Sequence, residues 1–207
     1  MTEPLVWIDC EMTGLDPVKD VLVEVAVVVT DSELTILDDG LDILIATDPE
    51  KLAGMEDIVK EMHTTSGLLE ALASATTTLE EAEQQVLEYV QRFVPDRRKA
   101  PLCGNSIATD RSFLVRYMPR LDDHLHYRMV DVSSIKELAR RWYPRAYFNS
   151  PDKTGGHRAL ADIVDSITEL RYYRAAIFVP PPGPDTDAAR LAAQQAIAPP
   201  PGNVAPD

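Results

Sequence analysis

A chain of 207 residues, 45% of them hydrophobic, can bury one good core and fits a single domain with a tail. Its net charge of −14 excludes long-range steering of a polyanion, because nucleic-acid binding is usually driven by Lys and Arg displacing counterions from phosphates. The charge is uneven, however: residues 1–95 carry 21 acidic and 4 basic side chains and residues 96–178 carry 10 and 15, so a local site for a short anion stays open.

In chain order, the first apolar run is residues 5–12 (LVWIDCEM), which predicts a strand with Asp9 and Glu11 near its end. Residues 21–30 (VLVEVAVVVT) form a second, nearly unbroken β-branched run, and residues 34–46 read as a third strand after the turn at Asp31-Ser32. A capping box of Thr77 or Thr78 with Glu80 or Glu81 opens a helix whose apolar Leu79, Ala82, Val86, Tyr89, Val90 and Phe93 keep helical spacing until Pro95. Residues 101–104 (PLCG) predict a short buried strand. Residues 110–118 predict a helix with Phe113, Leu114, Tyr117 and Met118 inward, and residues 127–131 another short strand. A helix over 132–143 is stopped by Pro144, and the last long helix covers 158 to about 177, with Leu160, Ile163, Ile167, Leu170 and Ile177 as its stripe. Strands first, then strands alternating with helices, indicate an α/β sandwich around a mixed sheet. From residue 179 the composition turns to Pro, Ala and Asp, which predicts a tail that is disordered or forms a short detached helix.

Side chains of a strand alternate between its faces, so Asp9 and Glu11 project from the same one. Two like charges that close destabilise a fold unless neutralised, and a divalent cation is the most direct neutraliser; the plainer alternative is the solvated mouth of a loop. Asp110 and Asp162 also sit where a helix meets a strand end, the usual place for a ligand in an α/β sheet, so all four carboxylates can converge. His157 and Asp162 differ by five positions, about 140° on a regular helix, so both serve one site only if His157 lies on the entering loop. Gly155-Gly156 supplies such a loop and lets the ring swing in. With an ordinary pKa of about 6.5, an imidazole there can take a proton from water at neutral pH, although taken alone it reads sooner as a helix-start histidine capping nothing in particular. Cys10 and Cys103 lie in apolar segments without CxxC or histidine spacing and read as small buried thiols.

The strings WIDCEMTGLD, CGNSIATDRSFL, HYRMVDVSSIKELARRW and HRALAD, in this order and spacing, resemble the exonuclease motifs of the DEDDh superfamily, specifically those of the oligoribonuclease family. The likeness runs from about residue 4 to residue 178. It implies a ribonuclease H-like fold, α/β with a mixed five-stranded sheet flanked by helices, an exonuclease domain over residues 1–178 and a tail over 179–207. The activity it implies is that of a 3′ to 5′ exoribonuclease converting short oligoribonucleotides, especially dinucleotides, into 5′-mononucleotides. Asp9, Glu11, Asp110 and Asp162 would bind two Mg²⁺ or Mn²⁺ ions, with Asp9 bridging them, and His157 would be the general base. The resemblance further implies that Ser106, Arg128 and Ser133 cap the 5′ phosphate and that Tyr127 is delivered from the second subunit of a homodimer. Leu15 would wedge against the bases and His63 lie near the 3′ nucleotide. Arg128 suits its task because a planar guanidinium can grip phosphate bidentately. One position departs: many members carry Trp where this chain has Ile58, which predicts a weaker or differently built base platform.

Two rivals follow from the same residues. An exonuclease of this superfamily acting on longer RNA or single-stranded DNA ends would usually need a basic track, which the acidic composition argues against. A catalytically silent nucleotide-binding dimer would be expected to have lost a carboxylate or His157, and none is substituted. No run approaches the roughly 18 apolar residues of a membrane span. The N-terminus carries Glu3 where a leader would be basic, so the expected location is the cytoplasm, with short RNA and a second copy of the chain as partners and no membrane.

Overall fold

The computed structural model of the chain describes residues 3–153 and 156–197. Five strands, β1 (Leu5–Met12), β2 (Leu22–Thr30), β3 (Leu41–Leu44), β4 (Pro101–Gly104) and β5 (His126–Asp131), make one sheet in the order β3-β2-β1-β4-β5. β1 runs antiparallel to β2 and parallel to β4, and β4 parallel to β5, so the sheet is mixed as expected.

Helices cover both faces, which explains the unbroken apolar run of β2: all nine of its residues are buried. On one face Val6, Ile8 and Cys10 of β1 and Val25, Val27 and Val29 of β2 pack with the apolar sides of α4 (Leu79–Phe93), α5 (Ala108–Tyr117) and α6 (Pro119–His124). On the other, Trp7, Ala26 and Val28 meet Ala159, Ile163, Ile167 and Leu170 of α9 (Ala159–Ala176). Trp7 keeps its buried indole N–H satisfied by donating to Thr30 Oγ1 at 3.0 Å. The capping box forms between Thr78 and Glu81 and starts α4 where the sequence predicts.

The third strand is shorter than the expected 34–46. Asp38-Asp39-Gly40 interrupts it, Gly40 adopts a left-handed φ of 86°, and the continuous ladder with β2 is confined to Leu41–Leu44, while Ile36 keeps an isolated bridge to Thr30. Three helices unforeseen in the sequence, α1 (Pro49–Ala53), α2 (Asp57–Thr65) and α3 (Leu68–Leu72), fill the stretch before α4. The helix expected from residue 110 starts two residues earlier, as α5, which places Asp110 in its first turn. Asp131 caps α7 (Val132–Trp142), accepting from the backbone N–H groups of Ser133 and Ser134, and Pro144 both ends α7 and opens the short α8 (Pro144–Tyr147). Of the two forms foreseen for the tail, residues Thr186–Ile197 take the helical one as α10, with no buried residue. Residues 1–2, 154–155 and 198–207 lie outside the described residues, so the Gly155 half of the loop expected at Gly155-Gly156 and the end of the tail do too. No described helix is long and apolar enough to cross a membrane.

Candidate active site

The period of the strand builds the site. Leu5 and Trp7 of β1 fill the α9 side of the core, and the same alternation brings Asp9 and Glu11 to that side farther along the strand. A bulge between Glu11 and Met12 then turns the chain out of register with β2. Asp162 reaches the place from the first turn of α9, and one ligand atom each of Glu11, His157 and Asp162 lies within 4.8 Å of the others. Asp110 is near enough to Asp9 to raise its proton affinity, and its Oδ1 accepts the Cys10 backbone N–H at 3.0 Å.

Crowding shows in the proton affinities. Burial, then Asp110 and Glu11, push the Asp9 carboxyl up to about 9. Burial, then Glu24 and Asp162, raise Glu11 to about 8, against the lowering effect of Arg158. Burial raises Asp110 to about 7 although the Cys10 N–H favours its charged form. Asp162 is raised as well, mainly by burial, with His157 opposing. A cluster of hard oxygen donors whose charged forms are disfavoured by burial and by one another fits a divalent metal ion.

His157 lies outside the helix, as the five-residue spacing requires. Gly156 and His157 take left-handed φ of 63° and 62°, and Arg158 is the N-cap of α9. The ring is exposed while its partner Glu11 is buried. His63 is wholly buried beside the same carboxylate: Nε2 lies 2.8 Å from the Met12 carbonyl oxygen, where it must donate, and Nδ1 is 3.8 Å from Glu11 Oε2, too far for a hydrogen bond.

Leu15 and Ile58 stand 76% and 74% exposed on the walls of one groove of about 890 Å³, formed by the loop after β1 and by α1 and α2. That loop is tightly tied: Thr13 Oγ1 and the Asp16 N–H both donate to Asp20, and a Cβ on Gly14 would stand 2.4 Å from Asp20 Oδ2.

Ser106 and Ser133 are brought together at the ends of β4 and β5, with their hydroxyls 3.1 Å apart. Arg128 is not held to them; its guanidinium carbon sits 5.5 Å from the centre of the Tyr127 ring. Tyr127 is 71% exposed on the edge strand β5.

Sequence reasoning missed Asn105. Its Oδ1 accepts the Ser133 hydroxyl at 3.0 Å, and its Nδ2 donates to Ser166 Oγ at 2.8 Å and to Glu169 Oε2 at 3.2 Å. Ser166 in turn donates to the Asp162 carbonyl oxygen at 2.9 Å, so one chain of bonds joins the serine pair to the helix that carries Asp162. The only signal in the sequence was a polar residue directly after a short buried strand. Glu24 was visible as a lone charge in an apolar strand, but its partner was not: Arg158 Nε donates to its Oε1 at 2.9 Å.

A family profile described as RNase_T, Exonuclease, matches residues 6–170. The chain belongs to this exonuclease family. Within it, the oligoribonuclease of Streptomyces griseus is 61% identical over 199 residues, covering 96% of this chain and 98% of that protein. The oligoribonuclease of Streptomyces coelicolor is 62% identical over 197 residues, 95% of this chain and 98% of that protein. That of Mycobacterium sp. strain KMS is 57% identical over 208 residues, 100% and 95% of the two chains. These matches place the exonuclease among the oligoribonucleases, as the four motif strings led one to expect. Among solved structures, apo exonuclease I superposes with a TM-score of 0.60 at 15% identity, over 84% of this chain and 42% of that one. A zinc-bound complex of E. coli exonuclease I with single-stranded DNA does so at 0.60 and 14%, over 86% and 41%. At such identities the likeness is one of fold, and the fold is ribonuclease H-like. The chain spans about two fifths of the exonuclease I chains.

Proposed function

We propose that this exonuclease degrades short oligoribonucleotides, dinucleotides above all, from the 3′ end to 5′-mononucleotides by two-metal-ion hydrolysis. The observation that carries the reading is the meeting of Glu11, His157 and Asp162 within 4.8 Å, at the end of a strand that also bears Asp9. Asp9, Glu11, Asp110 and Asp162 would hold two Mg²⁺ or Mn²⁺ ions. When bound, such ions neutralise charge on the scissile phosphate and increase the acidity of water.

The protein's own groups do the rest. His157 accepts the proton of the attacking water through its exposed ring, which stands on the loop entering α9. Leu15 wedges against the bases across the groove from Ile58, and His63, fixed by Met12, shapes the pocket of the 3′ nucleotide from behind Glu11. Ser106, Ser133 and Arg128 hold the 5′ phosphate of a dinucleotide, and closing that end sterically rejects a longer strand. The serine pair is supported by its link through Asn105. Arg128, now over Tyr127, must turn toward the phosphate, and Tyr127 is supplied by the second copy in a homodimer formed on the exposed edge of β5. Residues 1–178 form the catalytic unit, 179–207 an appendage, and the enzyme works in the cytoplasm.

The experiment offers dinucleotide, an RNA of about 20 nucleotides, longer than any single site here would hold, and single-stranded DNA, each with Mg²⁺ and with chelator. Mononucleotide is expected fastest from dinucleotide, and none with chelator. Equal or faster turnover of the long strands overturns the short-substrate reading, and no mononucleotide from any substrate favours a silent binding module.

A further inference from the structure

Glu24 stands in the most apolar segment of the chain, VLVEVAVVVT, and is 0% exposed. Burying a carboxylate is costly, and even a well-made buried ion pair rarely stabilises a fold more than apolar side chains of the same size would. Stability alone therefore gives no reason for a glutamate here. Its contacts give another. Arg158 donates to Glu24 Oε1 through Nε at 2.9 Å, with Nη2 2.7 Å from the same oxygen, and the backbone N–H of Ala159 donates to Oε2 at 3.1 Å.

Ala159 is the first residue of α9, and the N-cap residue Arg158 offers no side-chain cap of its own. The cap comes from the sheet instead. Glu24 satisfies an orphan N–H of α9 and places a negative charge at the positive end of the helix. Both halves of the site hang on this point. Asp162 lies three residues past Ala159 in the first turn, its N–H bonded to the Arg158 carbonyl oxygen at 3.0 Å, and His157 precedes Arg158 directly. Glu24 is also the Cα partner of Glu11 across the β1–β2 ladder, so the strand position that orients α9 is the neighbour of a cradle residue.

We propose that Glu24 and Arg158 are positioning residues of the exonuclease site: by capping α9 from the sheet, Glu24 sets where Asp162 and the His157 backbone stand relative to Glu11. The proposal rests on the metal-site reading above. The clamp fixes the start of α9, and His157 lies one residue before the clamped segment at a left-handed φ of 62°. Asp42, 3.7 Å from Arg158 Nη2, adds a second, looser anchor for the guanidinium. The serine pair proposed to hold the 5′ phosphate stands at the ends of β4 and β5 and makes no contact with Glu24 or Arg158 in the bonds described.

The test uses the full-length chain with Glu24→Gln, which keeps the shape and one oxygen acceptor but removes the charge. Mn²⁺ affinity, read from the free-ion electron paramagnetic resonance signal, is expected to fall about 10- to 100-fold, as for other residues that orient ligands. At fixed Mn²⁺, kcat on a dinucleotide falls with it while KM stays within about two-fold, and excess Mn²⁺ restores most of the rate. A purely structural role would lower the melting temperature without that rescue. Arg158, 35% exposed in its side chain, gives a second comparison should Glu24→Gln not fold. Arg158→Lys, which keeps the charge but not the fork, is expected to retain more Mn²⁺ affinity than Arg158→Met. Wild-type Mn²⁺ affinity in folded Glu24→Gln, or in both Arg158 variants, overturns the proposal. A wild-type protein that releases no mononucleotide would instead overturn the functional reading, and the Mn²⁺ measurements would still decide the clamp.

Discussion

Glu11 and Glu24 are direct cross-strand partners, and the fold treats their charges in opposite ways. Glu24 is matched by Arg158 at 2.7 Å, whereas Glu11 is pushed up to about 8 by burial and then by the carboxylates around it. On the proposed reading, one glutamate holds the scaffold and the other is available to a cation. A site built this way trades stability for function.

Removing one of the unmatched charges should therefore stabilise the metal-free protein while stopping the reaction. Asp162→Asn and Glu11→Gln are each expected to raise the melting temperature in chelator and to cut turnover by about 100-fold or more. His157→Ala is expected to lose turnover with little change in Mn²⁺ affinity. Thermal melts beside dinucleotide assays check all three, and wild-type turnover in any of them refutes its assigned role.

The pH dependence follows from the same charges. Asp9 and Glu11 rise from 3.8 and 4.5 to about 9 and about 8, so across that window the folded state binds more protons than the unfolded one. Stability in chelator must then fall as pH rises from about 5 to about 8. Glu137, held down at about 2 by Arg140 and Arg141, is already ionised throughout and adds no slope. Mn²⁺ displaces the bound protons, so its stabilising increment should grow over the same range. Melting temperatures at several pH values with and without Mn²⁺ read both trends, and a flat profile in chelator contradicts the crowding argument.

Ile58 offers a gain of binding. It faces the same groove as Leu15 and is 74% exposed, so a larger ring meets open space. A stacked base is worth about 1–3 kcal/mol, and Ile58→Trp should tighten dinucleotide binding by at least about five-fold. Calorimetric titration in the His157→Ala background checks this without turnover, and unchanged affinity removes the base-platform account.

Asn105 should matter for strand length more than for chemistry. Asn105→Ala breaks the bond that commits the Ser133 hydroxyl and leaves Glu169 and Ser166 each without one donor. The expected result is a KM for dinucleotide raised about ten-fold, from roughly 1 to 1.5 kcal/mol of lost hydrogen bonding at the cap, with turnover of longer strands less affected. An equal loss on short and long substrates would place Asn105 in support of Asp162 alone.

Much of the fold was legible because its signals are local. β1 and β2 announce themselves by β-branched runs and α4, α7 and α9 by the spacing of their apolar residues, and the Thr78–Glu81 box marks the start of α4. α1 and α3 were not legible, since five residues are too few to carry a helical period, and α2 buries only His63. The third strand was overdrawn because β-branched content outweighed Asp38-Asp39-Gly40, whose turn conformation the backbone respects. In the site, Arg128 was assigned from the motif that contains it, and the direction of its side chain, over Tyr127, depends on a neighbour that no spacing rule specifies.

The sequence by itself determined that Asp9 and Glu11 share a face and that His157 must stand off the helix of Asp162, because strand and helix periods are properties of the backbone. Only the tertiary structure decided that Glu24 caps α9 from 135 residues away and that Asn105 ties Ser133 to Ser166. Those bonds join segments that meet only after the sheet has formed and α9 has packed on it. Local periodicity shows which way a buried polar group points, but its partner is decided by whatever the fold brings within 3 Å.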